Sequence, residues 1–297
     1  MVIILVLGVV TGGIALGRHL ATSSPSIIRG AAAHQKPTPV PGFAAPSSAP
    51  LPDVAIQDDS ERFEAEFAAL TADLNATVGV VVQALGIGSA PIAAGLWSAG
   101  PAWSTIKVPL RIAGLRASNP PTVTDSMRAA ITQSDNAAAE SIWQSLGEPP
   151  AAALKVQQVM SQYGDPTLVE SQKVRPEFTA FGQTNWSLSN QAAFLSSAMC
   201  DPSNGPIATL MGEIQSDQSW GLGALQDAQF KGGWGPSETG SYLVRQMGVV
   251  PLQNGSAVVA MAAEPASGSF DDATQILTRI AAWLDEHADL LPVGHCP

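Results

Sequence analysis

The stretch Trp103-Ser104-Thr105-Ile106-Lys107-Val108-Pro109-Leu110 constrains this chain more than any other. It sets a serine hydroxyl and a lysine amine three residues apart, at the start of a helix predicted from Ser104 to about Ala117. Residues i and i+3 share a helix face, so the two groups can meet. A neutral lysine there can take the hydroxyl proton and turn the serine into a nucleophile. The first helical turn adds unpaired N–H groups and a partial positive charge that favour a developing anion. By itself S-x-x-K recurs in ordinary proteins, where the serine is a cap and the lysine is solvated. Two later motifs shift the balance: Ser134-Asp135-Asn136 between two predicted helices, and Lys231-Gly232-Gly233 on a glycine-rich strand.

The elements around these motifs follow from periodicity. Phe63, Phe67, Leu70 and Leu74 recur at helical spacing after Asp59-Ser60-Glu61, and folded structure is expected from about residue 58. Residues 77–85 (TVGVVVQAL) and 91–98 read as two strands joined by a turn. Helices are expected over 124–132, 137–146, 149–162, 186–199 and 206–214, with a long loop over 164–185. Three strands follow, at 230–235, 242–250 and 256–263, the last two joined by Asn254-Gly255, and then a helix over 271–287. An antiparallel sheet built from both ends of the chain, with helices against it and a helical insertion, is the simplest α+β assembly of this order.

Residues 1–20 contain an apolar run, Val2 to Leu16, that suits a signal peptide or short membrane anchor. Residues 21–57 are rich in Pro, Ala and Ser and read as a disordered linker; residues 58–297 form the folded domain. That layout suits an exported protein, secreted or held near a membrane or wall. The formal net charge of −11 argues against nucleic acid as a partner. Cys200 and Cys296 have neither C-x-x-C spacing nor a nearby ladder of histidines, so a zinc site is not expected, and no other cofactor is expected either. In an oxidising compartment the two can form one disulfide; the alternative is two free thiols. His19 and His34 lie before the folded domain, and His287 and His295 lie near its end. There is no G-x-S-x-G, so a Ser-His-Asp hydrolase lacks a good candidate for its base.

S-x-x-K, S-D-N and K-x-G in this order resemble the penicillin-recognising serine hydrolases, class A β-lactamases and penicillin-binding proteins. The flanks of the first two motifs, Trp103 to Pro109 and Ala129 to Ala139, look like class A. The resemblance covers about residues 58 to 290. It implies the β-lactamase/transpeptidase-like fold and an acyl-enzyme hydrolase acting on a β-lactam or a D-alanyl peptide of peptidoglycan, as a monomer. It also implies roles: Ser104 as nucleophile, Lys107 as base, Ser134 as proton relay, Asn136 as orienting group and Lys231 as cation. Backbone N–H groups of Ser104 and Trp234 would form the oxyanion hole, beside Gly233. Asp135 reads as structural, and Arg245 on the following strand is expected either to bind a substrate carboxylate or to face solvent.

Three departures stand out. Gly232 replaces the family's hydroxyl residue, removing a hydrogen bond to a substrate carboxylate of about 1–3 kcal/mol. Only the 26 residues 108–133 lie between the first two motifs, which trims the helical part. The loop glutamate that activates the deacylating water in class A has two candidates, Glu170 and Glu177, and Glu170 has the better spacing. The alternative reading is a catalytically weak or non-hydrolytic cell-wall peptide-binding module on the same fold.

Overall fold

A computed structural model describes residues 53–297. The expected signal peptide or anchor lies outside the described residues, as does all but the last part of the expected linker. Helix α1, Asp53–Thr71, starts five residues before the expected boundary. Strands β1 (Ala76–Ala84), β2 (Ile87–Gly88), β3 (Ile92–Gly95) and β4 (Ala99–Pro101) follow. Helices α2 (Lys107–Ala117), α3 (Asp125–Thr132), α4 (Asn136–Ser145) and α5 (Pro149–Gln162) come next. After the long loop stand β5 (Asn185–Ser187), α6 (Leu188–Ala198) and α7 (Gly205–Met211). The chain closes with β6 (Gln229–Pro236), β7 (Tyr242–Leu252), β8 (Gly255–Pro265), α8 (Phe270–Glu286) and β9 (Gly294–His295).

The sheet joins the two ends of the chain, as the element order implies. Its main strands run β3-β1-β8-β7-β6, all antiparallel, with β9 beside the start of β8 and β2 beside β9. Strand β6 is an outer strand, paired on one side by β7. Alternation along β1 sends Val78, Val80 and Val82 to one face and Val81 to the other. The first face packs on α1 and α8, where Phe63 and Phe67 meet Trp283 edge-on. The second face packs on the helical block, through Met247, Val258 and Ala260.

Helix α2 is the centre of that block. Every residue from Lys107 to Leu115 is buried, as expected of a helix enclosed by its neighbours. Its surroundings are capped helices: Thr124 accepts from the Met127 N–H at the start of α3, and Asp135 accepts from the Ala138 N–H at the start of α4. Asp135 therefore does the structural job expected of it.

Arg245 does not take either place expected of it. On β7, an inner strand, it points to the helical side beneath the β4–β5 ribbon and is fully buried. Its guanidinium donates to the carbonyls of Gly100, Pro101 and Trp186 and to Gln191 Oε1, at 2.8–3.1 Å, and lies over the Trp97 ring. An arginine held this way ties the ribbon to the sheet and is not available to a ligand. Cys200 and Cys296 form a disulfide across 96 residues, fastening the C-terminal tail to the end of α6.

Two outcomes follow. Arg245→Ala removes four hydrogen bonds, two of them to buried acceptors, and should lower the unfolding free energy by about 3–5 kcal/mol, read by urea titration. Reducing the disulfide should cost about 2–5 kcal/mol by the same measurement, because it frees a long loop in the unfolded chain.

Candidate active site

The turn Trp103–Ile106 that carries Ser104 is a 3-10 turn, and α2 begins only at Lys107. In a 3-10 turn the side chains at i and i+3 eclipse, so Ser104 and Lys107 project to one side. Both line a groove of about 420 Å³ between α4, the 164–185 loop and β6. Trp103, just before the serine, has φ of +48°, a conformation rarely taken by a non-glycine residue. Its ring packs edge-on against Phe178 of the loop.

Lys107 Nζ donates to Asn136 Oδ1 at 2.7 Å and to the Ser134 carbonyl at 2.6 Å, with Ser134 Oγ at 3.5 Å. Ser134 has φ of +55°, which turns the loop between α3 and α4 so that its carbonyl and its hydroxyl both face the amines. Lys231 Nζ, from β6, donates to Ser134 Oγ at 2.9 Å and to the Gly232 carbonyl at 2.8 Å. The two amines thus meet at one hydroxyl. Burial lowers the Lys107 pKa to about 7, against a weak opposing pull from Asp135. Burial also pushes Lys231 well below the usual lysine range, and the neighbouring Lys107 ammonium adds to this.

A neutral amine has two N–H donors and one lone pair. In Lys107 the two short contacts are to carbonyl oxygens, which can only accept, so they take both donors. The lone pair is left to receive a proton. That is the electronic state a base requires of Lys107.

Strand β6 lies hard against the serine turn. A Cβ added at Gly233 would come within 2.8 Å of the Ser104 nitrogen and 2.9 Å of the Thr105 nitrogen. Gly233 is thus required by close approach, and Trp234, the next residue, lines the groove. At Gly232 an added Cβ would lie 2.9 Å from the Trp220 ring. The place of the family's hydroxyl residue is therefore covered by an indole.

Glu170 falls outside the groove. Its carboxylate accepts from the Gln172 N–H at 2.7 Å and its own N–H donates to Thr184 Oγ1, so it stitches the loop together. The carboxylates lining the groove are Glu177 and Glu140. Glu177 is paired with Arg175. Glu140 was missed in the sequence, although four residues after Asn136 on one helix is the spacing that shares a face. The loop closes at its neck where Trp186 Nε1 donates to the buried Asp165 carboxylate, 2.7 Å away. Burial pushes the Asp165 pKa up.

No protein-family model matches this chain, and no curated protein matches it. Solved structures do. A class A β-lactamase from Bacteroides cellulosilyticus DSM 14838 superposes with a TM-score of 0.64 at 15% identity, over 79% of this chain and 98% of that one. An ancestral (GNCA) class A β-lactamase gives 0.61 at 19% identity, over 75% and 99%. A β-lactamase from Streptosporangium roseum gives 0.60 at 15% identity, over 78% and 100%. The likeness is one of architecture: this chain has the α+β fold of the β-lactamase-like serine hydrolases.

Proposed function

We propose that the chain is a serine hydrolase that forms an acyl-enzyme on the carbonyl of an amide, lactam or ester. The observation that carries this reading is the state of Lys107: buried, tuned to about pH 7, with both N–H donors engaged by carbonyl oxygens. Lys107 takes the proton of Ser104 Oγ as that oxygen attacks the carbonyl carbon. The oxygen of the tetrahedral intermediate is held by the N–H groups of Ser104 and Trp234. As the carbon–nitrogen bond breaks, the leaving nitrogen takes a proton from Ser134 Oγ, which is re-protonated through the amine pair it bridges. Water then attacks the acyl carbonyl and gives a proton to Lys107 or to a groove carboxylate; the acyl carbon–Ser104 Oγ bond breaks, Oγ takes a proton back from Lys107, and the acid is released. Lys231 holds the relay hydroxyl in line.

Within this class, β-lactam hydrolysis and D-alanyl peptide hydrolysis are both consistent with the groove. An exported location is supported by the disulfide, which would not persist in a reducing compartment. A cell-wall binding module without turnover is the weaker reading. Binding alone has no use for a buried, unprotonated amine, and burying two amines costs stability.

A fluorescent penicillin should label the full chain at Ser104, and Ser104→Ala should abolish the label. Equal labelling of the two proteins would overturn the assignment. Because the base form of Lys107 grows as pH rises, the labelling rate should fall about tenfold per pH unit below about pH 7. Lys107→Met should slow labelling by about 10²–10⁴ yet leave the unfolding free energy unchanged or raised near pH 7. In the wild type the unfolded chain binds more protons than the folded one between about pH 7 and 10.5, so Lys107 makes stability rise with pH across that window.

A further inference from the structure

Helices α2 and α5 pack against each other, and a groove of about 470 Å³ lies between them at the far end of α2. Arg116 stands there, about 14 Å along the helix axis from Lys107 at a rise of about 1.5 Å per residue. The groove shares no lining residue with the one that holds Ser104. Ala113 and Val159, both nearly buried, form its floor. Its polar side chains are Arg116, Lys155, Gln158 and Gln162. On α5, Lys155, Gln158, Val159 and Gln162 recur at the spacing that shares one helix face. Among the described residues no carboxylate lines this groove, in a chain whose formal net charge is −11.

Both cations are held in place by the protein. Arg116 Nη1 donates to Gln162 Oε1 at 2.7 Å, and Nη2 donates to the Tyr163 hydroxyl, which donates in turn to Asp201 Oδ2 at 2.6 Å. Asp201 lies 3.6 Å from Nη2 but outside the groove. Lys155 Nζ donates to the Leu146 carbonyl at the end of α4, 2.7 Å away. Side chains fixed in this way have little rotamer freedom left to lose when a ligand arrives. A guanidinium has five N–H donors and an ammonium three. Less the bonds just named, Arg116 keeps three and Lys155 keeps two. Gln162 spends its oxygen on Arg116, so its NH₂ group is what it has left to offer. Apart from Gln158, whose amide can turn either way, the groove presents donors over an apolar floor.

We infer that the α2–α5 groove is a binding site for a phosphate group carried on a short organic body. The phosphate lies between Arg116 and Lys155, and the organic body covers Ala113 and Val159. A phosphate monoester brings three strong acceptor oxygens and a charge of about −1.5 to −2 at pH 7, which matches two cations; a carboxylate brings one charge. The phosphate can belong to a free ester or to a lipid headgroup, since the recognised chemistry is the same. The site stands apart from Ser104 and does not depend on the serine hydrolase reading.

The test is calorimetric titration of the full chain with propyl phosphate and with inorganic phosphate at low salt. Co-sedimentation with phosphatidylcholine vesicles, with and without phosphatidic acid, gives the second arm. Propyl phosphate should bind at least about fourfold more tightly than inorganic phosphate, because its alkyl group covers the floor. Lys155→Gln should weaken binding at least about tenfold. Gln158→Glu, at an exposed position, leaves both cations in place and should weaken it by a similar factor through repulsion. Added salt should weaken it further. Binding of propyl phosphate without vesicle binding assigns the site to a free ester. Capture by phosphatidic acid vesicles alone, lost in both variants, assigns it to a lipid headgroup. Absence of both, or binding that either variant keeps in full, overturns the site.

Discussion

Two lysine amines meet at one serine hydroxyl in a place closed to bulk water, and the rest of the molecule is arranged to permit it. Lys107 and Lys231 are each at most 1% exposed. Two ammonium groups so placed would repel each other and lose their hydration, so protons leave instead. Three elements make this tolerable. Helix α2 is enclosed along most of its length, strand β6 brings Lys231 in from an outer position on the sheet, and the turn between α3 and α4 offers a carbonyl and a hydroxyl together. Positive φ at Trp103 and at Ser134 belongs to the same arrangement. Such residues persist only where their surroundings hold them. Here the holding comes from Phe178 on one side and from the two amines on the other.

The departures from the class A pattern are connected through packing. Once Gly232 lacks a side chain, Trp220 can lie over β6, where it meets Trp234 and Phe270 edge-on. Arg245, one strand further in, cannot reach the groove because the β4–β5 ribbon covers it. The long loop meanwhile spends Glu170 on its own backbone and Arg175 on Pro236. Polar groups that a reading by family would assign to a substrate are thus consumed by structure. What faces the groove is Ser104, Asn136, Glu140, Lys173 and Glu177, with the backbone of β6 beside them.

Much of the fold was legible because its signals are local. Periodicity alone separated the strands TVGVVVQAL and SAVVAMAA from the helices between them, and the element order implied a sheet closed from both ends. Helix α5 was read at its observed bounds, with Pro149 and Pro150 at its start. Helix α1 was read five residues short, since Asp53 to Asp58 carry too little apolar repeat to signal a helix. Three-residue spacing put Ser104 and Lys107 on one side, though the turn that achieves it is 3-10 rather than α.

The sequence by itself determined which reactive groups the chain offers and in what order: a hydroxyl, an amine, a second hydroxyl and a second amine, each on an element that local patterning could name. Only the tertiary structure decided which of them are dry. Burial sets the proton state of Lys107 and Lys231, turns Arg245 into a strut and leaves Glu170 out of the groove. Burial belongs to the whole chain, because what covers a side chain comes from residues far away along it. Spacing reveals the face on which a group lies, and the fold reveals what lies against that face.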